Sequence, residues 1–384
     1  MSNRAVLTGR HFMQGNIACA EGVLAAGCRF AAGYPITPAS EVAEHLSLRL
    51  PQVGGTFLQP EDELCSMSAV IGAAWGGMKS MTVTSGPGIS LMLENIGFAI
   101  SSETPCVIMN VMRGGPSTGI PAIALQGDVI QTRRGSHGEY QTIALAPCSV
   151  QECFDYTIDA FNLAERYRTP VFLLTDAFLG HMREEMLIPE PGKIVLEDRR
   201  KFPKGVDVES LPGFLDVDVA PMPVFGEGHK AHVTSSCHDG YGRRNVVDAQ
   251  ALDVYIKKLD EKIAKHRDEI VRVEEDARDG DVVLVGYGTV VRCAQAAVEA
   301  GRAAGLKLGW FRLCTIWPFA DKEIAALARR AKHLLVLENN LGQMVDYVRA
   351  AAEGHCGVTF VPPRILGDLH EVDDILKTVS EVRA

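Results

Sequence analysis

Three segments of this chain gather residue types able to bind or activate a small molecule. The first, Gly33–Glu41, reads GYPITPASE. Thr37 followed by Pro38 suits a helix start, with a hydroxyl to cap the first turn and proline at the first helical position. Capping is one use for Thr37. Anion capture is the other, because the free amides and dipole of a helix N-terminus attract negative charge and a hydroxyl there can meet a carboxylate.

The second segment, Gln59–Leu64, places Glu61, Asp62 and Glu63 at the mouth of a helix of small and apolar residues running to about Gly77. Acids in a first turn complement the helix dipole, and that accounts for all three equally. Glu63, however, shares a face with Met67, Val70 and Ala74, the face a buried helix packs with. A carboxylate in such a site can share a proton with a nitrogen heterocycle. Glu63 is the candidate for that work and Glu61 the alternate.

The third pairs Thr84-Ser85-Gly86-Pro87-Gly88 with Met112-Arg113-Gly114-Gly115-Pro116-Ser117-Thr118-Gly119. Glycines let a backbone approach a flat ligand closely. The lysine of a P-loop and the spacing of a dinucleotide fingerprint are both missing, so a nucleotide cradle is the weaker reading. Arg113 reads either as a surface charge or, at the end of a buried strand, as a carboxylate clamp.

The elements that must hold these loops are legible. From Gly15 to about Met186, short apolar runs alternate with helical patterns. Strands are expected at Phe30–Tyr34, Ser80–Thr84, Val107–Val111 and Val171–Asp176, with helices starting near Thr37, Glu61, Ile89 and Val150. Near-continuous apolar strands alternating with helices imply a mainly parallel sheet covered on both faces. Such sheets bind ligands at the carboxyl ends of their strands, where all three segments fall. Residues 189–250 are rich in Pro and Gly and form a linker or extended arm. A charged amphipathic helix then carries Leu252, Ile256, Leu259, Ile263, Ile270 and Val273 on one side, with His266 on its flank. A second alternating unit follows, with strands at Val282–Tyr287, Leu308–Cys314, His333–Glu338 and Gly357–Val361. The division expected is 1–188, 189–250 and 251–384.

Composition narrows the function classes. With 384 residues, 47% hydrophobic and 22% charged, the chain can build more than one core. Lys+Arg 38 against Asp+Glu 48 gives −10, the wrong sign for a nucleic-acid footprint. No apolar run approaches the roughly 18 residues of a membrane span. The small-residue stretch Ile17–Cys28 is interrupted by Glu21, which favours a first helix of a cytoplasmic domain over a signal peptide. The 10 cysteines form no Cys-x-x-Cys pair, so spacing encodes neither a zinc ribbon nor an iron–sulfur cluster, and no metal ligands are read in this chain.

Taken in order, GYPITPAS (33–40), EDELCSMSAVIG (61–72), TSGPGISL (84–91), RGGPSTGIP (113–121), SHGE (136–139) and ENNLGQM (338–344) make the chain resemble the alpha subunit of the 2-oxoacid:ferredoxin oxidoreductases, most closely the 2-oxoglutarate type. The resemblance implies an α/β protein: a pyrimidine-binding domain of the thiamine diphosphate fold plus a smaller α/β domain like the C-terminal domain of transketolase. It implies that Glu63 hydrogen-bonds the cofactor's aminopyrimidine and promotes the tautomer that deprotonates the thiazolium carbon, that Ser85, Gly86 and Pro87 line the cofactor, and that Thr37 and Arg113 hold the 2-oxoacid carboxylate. The implied chemistry is oxidative decarboxylation with coenzyme A, giving succinyl-CoA from 2-oxoglutarate and passing electrons to ferredoxin.

Two departures qualify the carry-over. The Gly-Asp-Gly…Asn device that holds Mg²⁺ and diphosphate in thiamine enzymes is missing; Asp279-Gly280-Asp281 opens the second unit, and Asn339-Asn340 lie far beyond it. Diphosphate, Mg²⁺ and a [4Fe-4S] cluster are therefore expected on a partner beta chain, in an (αβ)2 heterotetramer. Second, Ala122 stands where the family often has threonine after Pro121, which leaves pyruvate, branched-chain and aryl 2-oxoacids open as substrates. Two other classes remain open. A nucleotide-binding oxidoreductase subunit would bind NAD by itself. A structural docking subunit would tolerate Glu63→Gln.

Overall fold

The structure is a computed structural model, describing residues 6–277 and 279–383. Its larger sheet has seven strands in the order Thr315–Trp317, Ile143–Leu145, Pro170–Asp176, Cys106–Met112, Ser80–Thr84, Phe30–Ala32, Thr56–Leu58. All neighbours run parallel except the first pair. The central strands Ser80–Thr84, Cys106–Met112 and Pro170–Asp176 are buried along their whole length. Helices on both faces require that burial, and it explains why Cys106–Met112 and Pro170–Asp176 read as nearly continuous apolar runs.

One face is covered by the helices Gly15–Ala25, Ser40–Arg49 and Val150–Tyr167, whose Leu24, Leu46, Phe154 and Phe161 share a core with Val83, Val107 and Leu173. The other is covered by Glu63–Trp75 and Gly86–Ser101, through Met67, Val70, Ile89 and Met92. The second sheet runs Gly357–Val361, His333–Leu337, Val282–Gly286, Leu308–Leu313, Val273–Asp276, parallel except for the last strand. Val283, Val285 and Phe311 from it join the same core as Met67 and Ile89, so the two sheets share one continuous apolar body.

Two local expectations are corrected. Thr37 does not cap a helix: the helix starts at Ser40, behind Ala39, and Thr37 lies exposed in the preceding turn. The amphipathic helix does not run from Leu252 to Val273. It spans Ala249–Ala264, a short turn Arg267–Ile270 follows, and Val273–Asp276 is a strand. Pairing with Leu308–Leu313 satisfies that strand's backbone and overrides the helical periodicity. Leu252 is accordingly exposed, while Tyr255, Leu259 and Ile263 are buried.

The strand pair Gly9–Gln14 and Arg183–Ile188 is an antiparallel addition with no counterpart in the expected elements. Residues 189–248 contain short 3-10 turns and isolated bridges such as Lys201↔Met222. Arg199 ties this stretch down: its buried guanidinium meets the buried Glu165 carboxylate at 2.6 Å and donates to the Ala74 and Met78 carbonyls. Among the described residues no helix is long and apolar enough to cross a membrane.

Candidate active site

Adjacent parallel strands bring the three chemical segments together. Phe30–Ala32, Ser80–Thr84 and Cys106–Met112 are consecutive in the sheet, so the loops leaving their carboxyl ends share one edge. Glu63 enters this edge from the first residue of the helix Glu63–Trp75. Asp62 does the capping, accepting from the Cys65 amide at 2.7 Å. That division of labour frees Glu63 to turn inward, where it is 3% exposed and accepts from Thr84 Oγ1 at 3.3 Å. Glu61, the alternate, is exposed.

The carboxylate lies flat on Gly88. A Cβ at Gly88 would stand 2.5 Å from Glu63 Oε1 and 2.0 Å from Thr84 Oγ1, so any side chain there would displace one or both of them. Ser85 occupies the N-cap position of the helix Gly86–Ser101, with Pro87 in its first turn, yet its hydroxyl makes no cap bond. Among the described residues, buried Ser85 Oγ, Asn110 Oδ1 and Arg113 Nε have no hydrogen-bond partner. Buried polar atoms are seldom left so, and three orphans around one helix start are what a polar ligand would satisfy.

Arg113 is buried at the end of the strand Cys106–Met112. Nη1 donates to the Thr37 carbonyl at 2.6 Å and Nη2 to the Thr118 carbonyl at 2.7 Å. A guanidinium has five N–H donors, so three remain for an anion. Burial lowers the pKa of Arg113, and the carboxylates of Asp128 and Glu63 act against that. Asp128 accepts from Asn110 Nδ2 at 3.1 Å and lies 3.3 Å from where a Gly86 Cβ would stand. Burial raises its carboxyl above the usual range, against the Asn110 bond and the Arg113 charge.

Glu63, Ser85, Gly86, Pro87 and Arg113 thus converge on one helix start. Thr37 joins them through its carbonyl, with its side chain at the exposed rim. Asn110 and Asp128 were not among the sequence candidates, and Thr84 stood in the third segment with no role of its own. Asn110 had a signal, being the polar residue inside the apolar run Val107–Val111; Asp128 had none.

Residues 21–258 match the family described as pyruvate flavodoxin/ferredoxin oxidoreductase, thiamine diphosphate-binding. The chain belongs to this family. Residues 280–375 match pyruvate:ferredoxin oxidoreductase core domain II.

Among curated relatives of this oxidoreductase family, the 2-oxoglutarate synthase subunit KorA of Methanothermobacter marburgensis is 46% identical over 98% of this chain and 100% of its own length. That of Methanocaldococcus jannaschii is 47% identical over 96% of this chain and 98% of its own. A ketoisovalerate oxidoreductase subunit VorB of Methanothermobacter thermautotrophicus is 38% identical over 96% and 97%. The fold superposes with a TM-score of 0.90 on the 2-oxoglutarate:ferredoxin oxidoreductase from Magnetococcus marinus, solved with 2-oxoglutarate, coenzyme A and succinyl-CoA bound. That match has 31% identity and covers 97% of this chain but 65% of the other, so the chain spans about two thirds of that protein's length.

Proposed function

We propose that this chain is the alpha subunit of a cytoplasmic, coenzyme A-dependent 2-oxoglutarate:ferredoxin oxidoreductase. In that reaction 2-oxoglutarate and coenzyme A give succinyl-CoA and carbon dioxide, and the electrons released reduce ferredoxin. The observation that carries the reading is the placement of Glu63, a buried carboxylate lying on Gly88 with Arg113 within electrostatic reach. The 2-oxoglutarate choice is supported by full-length relatives of that name at 46–47% identity, against 38% for the ketoisovalerate subunit.

The donor set fits thiamine diphosphate. A carboxylate for a ring nitrogen, a glycine-lined helix start and unpartnered oxygens at Ser85 and Asn110 match the edge of an aminopyrimidine. When bound, thiamine diphosphate supplies the carbon nucleophile that attacks a 2-oxoacid carbonyl and accepts its electrons on decarboxylation.

This chain's own residues do the rest. Glu63 holds or releases a proton at the pyrimidine nitrogen, and Thr84 fixes one of its oxygens. Gly86 and Gly88 allow close backbone approach. Arg113 offers its three free donors to the substrate carboxylate, and the Thr37 hydroxyl stands at the rim beside it.

A partner beta chain carries the diphosphate and Mg²⁺ site and the [4Fe-4S] cluster in an (αβ)2 assembly. The missing Gly-Asp-Gly…Asn pairing supports this, as do the exposed apolar side chains Tyr34, Leu58, Leu64, Leu91 and Ile120 on the segments that surround the site. The test is to co-express the chain with its beta partner and assay a 2-oxoacid panel with coenzyme A and ferredoxin. Turnover highest with 2-oxoglutarate is expected. A preference for a branched-chain 2-oxoacid would move the substrate to the ketoisovalerate class, and activity of the alpha chain alone would overturn the split site.

A further inference from the structure

The segment Glu338–Met344 helped to carry the family resemblance, yet none of its residues enters the reaction described above. It lies in the second sheet's half of the molecule, after the strand His333–Leu337. Glu338 is fully buried, without a basic partner among the described residues, and its two oxygens accept from Tyr287 Oη at 3.0 Å, Asn340 Nδ2 at 3.0 Å, Met344 N at 2.8 Å and Val345 N at 2.9 Å. A carboxylate spent on backbone amides, the Asn340 side-chain amide and a hydroxyl fixes the shape of a turn. That turn grips the first domain. Gln126 N donates to the Asn339 carbonyl at 2.8 Å, and Asn339 N returns a bond to Gln126 Oε1 at 3.0 Å. Asn340 Nδ2 donates to the Gln126 carbonyl at 2.8 Å.

Gln343 extends the grip to the residues flanking Asp128. Its Nε2 donates to the Gly127 carbonyl at 2.5 Å, and its Oε1 accepts from Ile130 N at 3.0 Å. Trp317 Nε1, also from the C-terminal half, donates to the Val129 carbonyl at 3.0 Å. Asp128 is thereby bracketed on both sides by donors and acceptors of the other domain. Its own side chain meets Asn110, Gly86 and the field of Arg113.

We infer that Gln343 is a positioning residue for the 2-oxoacid site: by clamping the backbone at Gly127 and Ile130 it holds Asp128 and the loop after Arg113 in the arrangement that receives the substrate carboxylate. The inference rests on the function proposed above. Two hydrogen bonds from one half-buried amide add to the Asn339, Asn340 and Trp317 contacts on this stretch. Together they hold the residues on either side of Asp128 before substrate arrives, so that less ordering has to be taken out of the binding affinity.

The test uses the assembled holoenzyme with Gln343→Met, which keeps length and apolar stem and removes both bonds. Hydrogen exchange at the Ile130 amide should accelerate, which reads the clamp without any turnover. KM for 2-oxoglutarate should rise roughly five- to tenfold, the loss of one to two ordinary hydrogen bonds, with kcat falling less than KM rises. KM for coenzyme A should stay within about twofold.

In an Arg113→Ala background the same change should add nothing further to the 2-oxoacid KM, because carboxylate recognition is already lost. Equal KM increases in both backgrounds, a parallel rise in the coenzyme A KM, or unaltered exchange at Ile130 would each overturn the role of Gln343. A wild-type complex inactive on every 2-oxoacid would instead overturn the function proposed for the site, and this inference with it.

Discussion

Glu63 and Gly88 pack so closely that a Cβ on Gly88 would come 2.5 Å from the Glu63 carboxylate oxygen, and the carboxylate would have to move. Helix propensity alone would favour Gly88→Ala by about 1 kcal/mol. Overpacking of a filled site costs about 1–3 kcal/mol, so the steric effect wins. Gly88→Ala should lower the melting temperature and, by displacing Glu63, lower activity of the assembled enzyme more than it lowers stability. A stabilised and fully active Gly88→Ala enzyme would refute the packing argument.

Glu63→Gln tests the proton role itself. Glutamine fills the same space on Gly88 but cannot exchange a proton with a ring nitrogen. The loss of an activating charge-assisted bond is about 1.5–3 kcal/mol, or roughly ten- to a hundredfold in rate. Hydrogen–deuterium exchange at the thiazolium carbon should slow by that factor in the assembled enzyme. Glu61→Gln is the control: Glu61 is exposed, and its replacement should leave exchange at the wild-type rate. A defect confined to Glu61→Gln would move the role two residues upstream.

Arg113→Ala should act on the substrate and leave cofactor exchange alone. The 2-oxoacid KM should rise roughly ten- to a hundredfold through loss of a charged partner. Lysine should not restore it, because one ammonium cannot hold the Thr37 and Thr118 carbonyls and present a planar fork together. Thr37→Val separates rim hydroxyl from helix cap. Since the helix begins at Ser40, the roughly 1 kcal/mol cost of losing a cap should be absent. A mild KM rise with an unchanged melting temperature is expected. Equal 2-oxoacid KM values in wild type and Arg113→Ala would remove the clamp from the mechanism.

The central strands were legible because burial on both faces favours apolar residues: Ser80–Thr84 falls where the sequence puts it, and Cys106–Met112 differs by one residue at each end, while the half-buried edge strand Gly357–Val361 also falls as expected. Thr56–Leu58, Ile143–Leu145 and Thr315–Trp317 are only three residues each, too short to show any period. Thr315–Trp317 also follows a strand of one sheet and joins the other, a choice set by pairing with Ile143–Leu145 that no local pattern encodes. The site divides in the same way. Glu63 was readable because a carboxylate on an apolar helical face is a local anomaly. Asp128 was not, because its place over Gly86 depends on Gln343 and Trp317, some two hundred residues later.

The joint between the two halves should be sensitive to acid. Glu152, on the helix Val150–Tyr167, accepts from Arg312 Nη1 at 2.7 Å and again from Nη2; Arg312 lies on the strand Leu308–Leu313 of the other sheet. Burial pushes the Glu152 carboxyl up, but the Arg312 bonds and charge together with the Cys148 amide hold it below the usual range. A carboxyl whose folded pKa is depressed contributes stability that is fully present above its unfolded value, about 4.3, and is lost as pH falls through the folded value. The salt bridge should therefore stabilise fully at pH 7 and weaken below about pH 4. Glu152→Ala should cost about 1.5–3 kcal/mol at pH 7, the worth of a charge-assisted bond, because Arg312 Nη1 keeps the Glu274 carboxylate at 3.0 Å and is not left unpaired. Melting temperatures of wild type and Glu152→Ala should converge as pH falls from 5 to about 3. A gap that stays constant over that window would mean that Glu152 stabilises by packing and not by its charge.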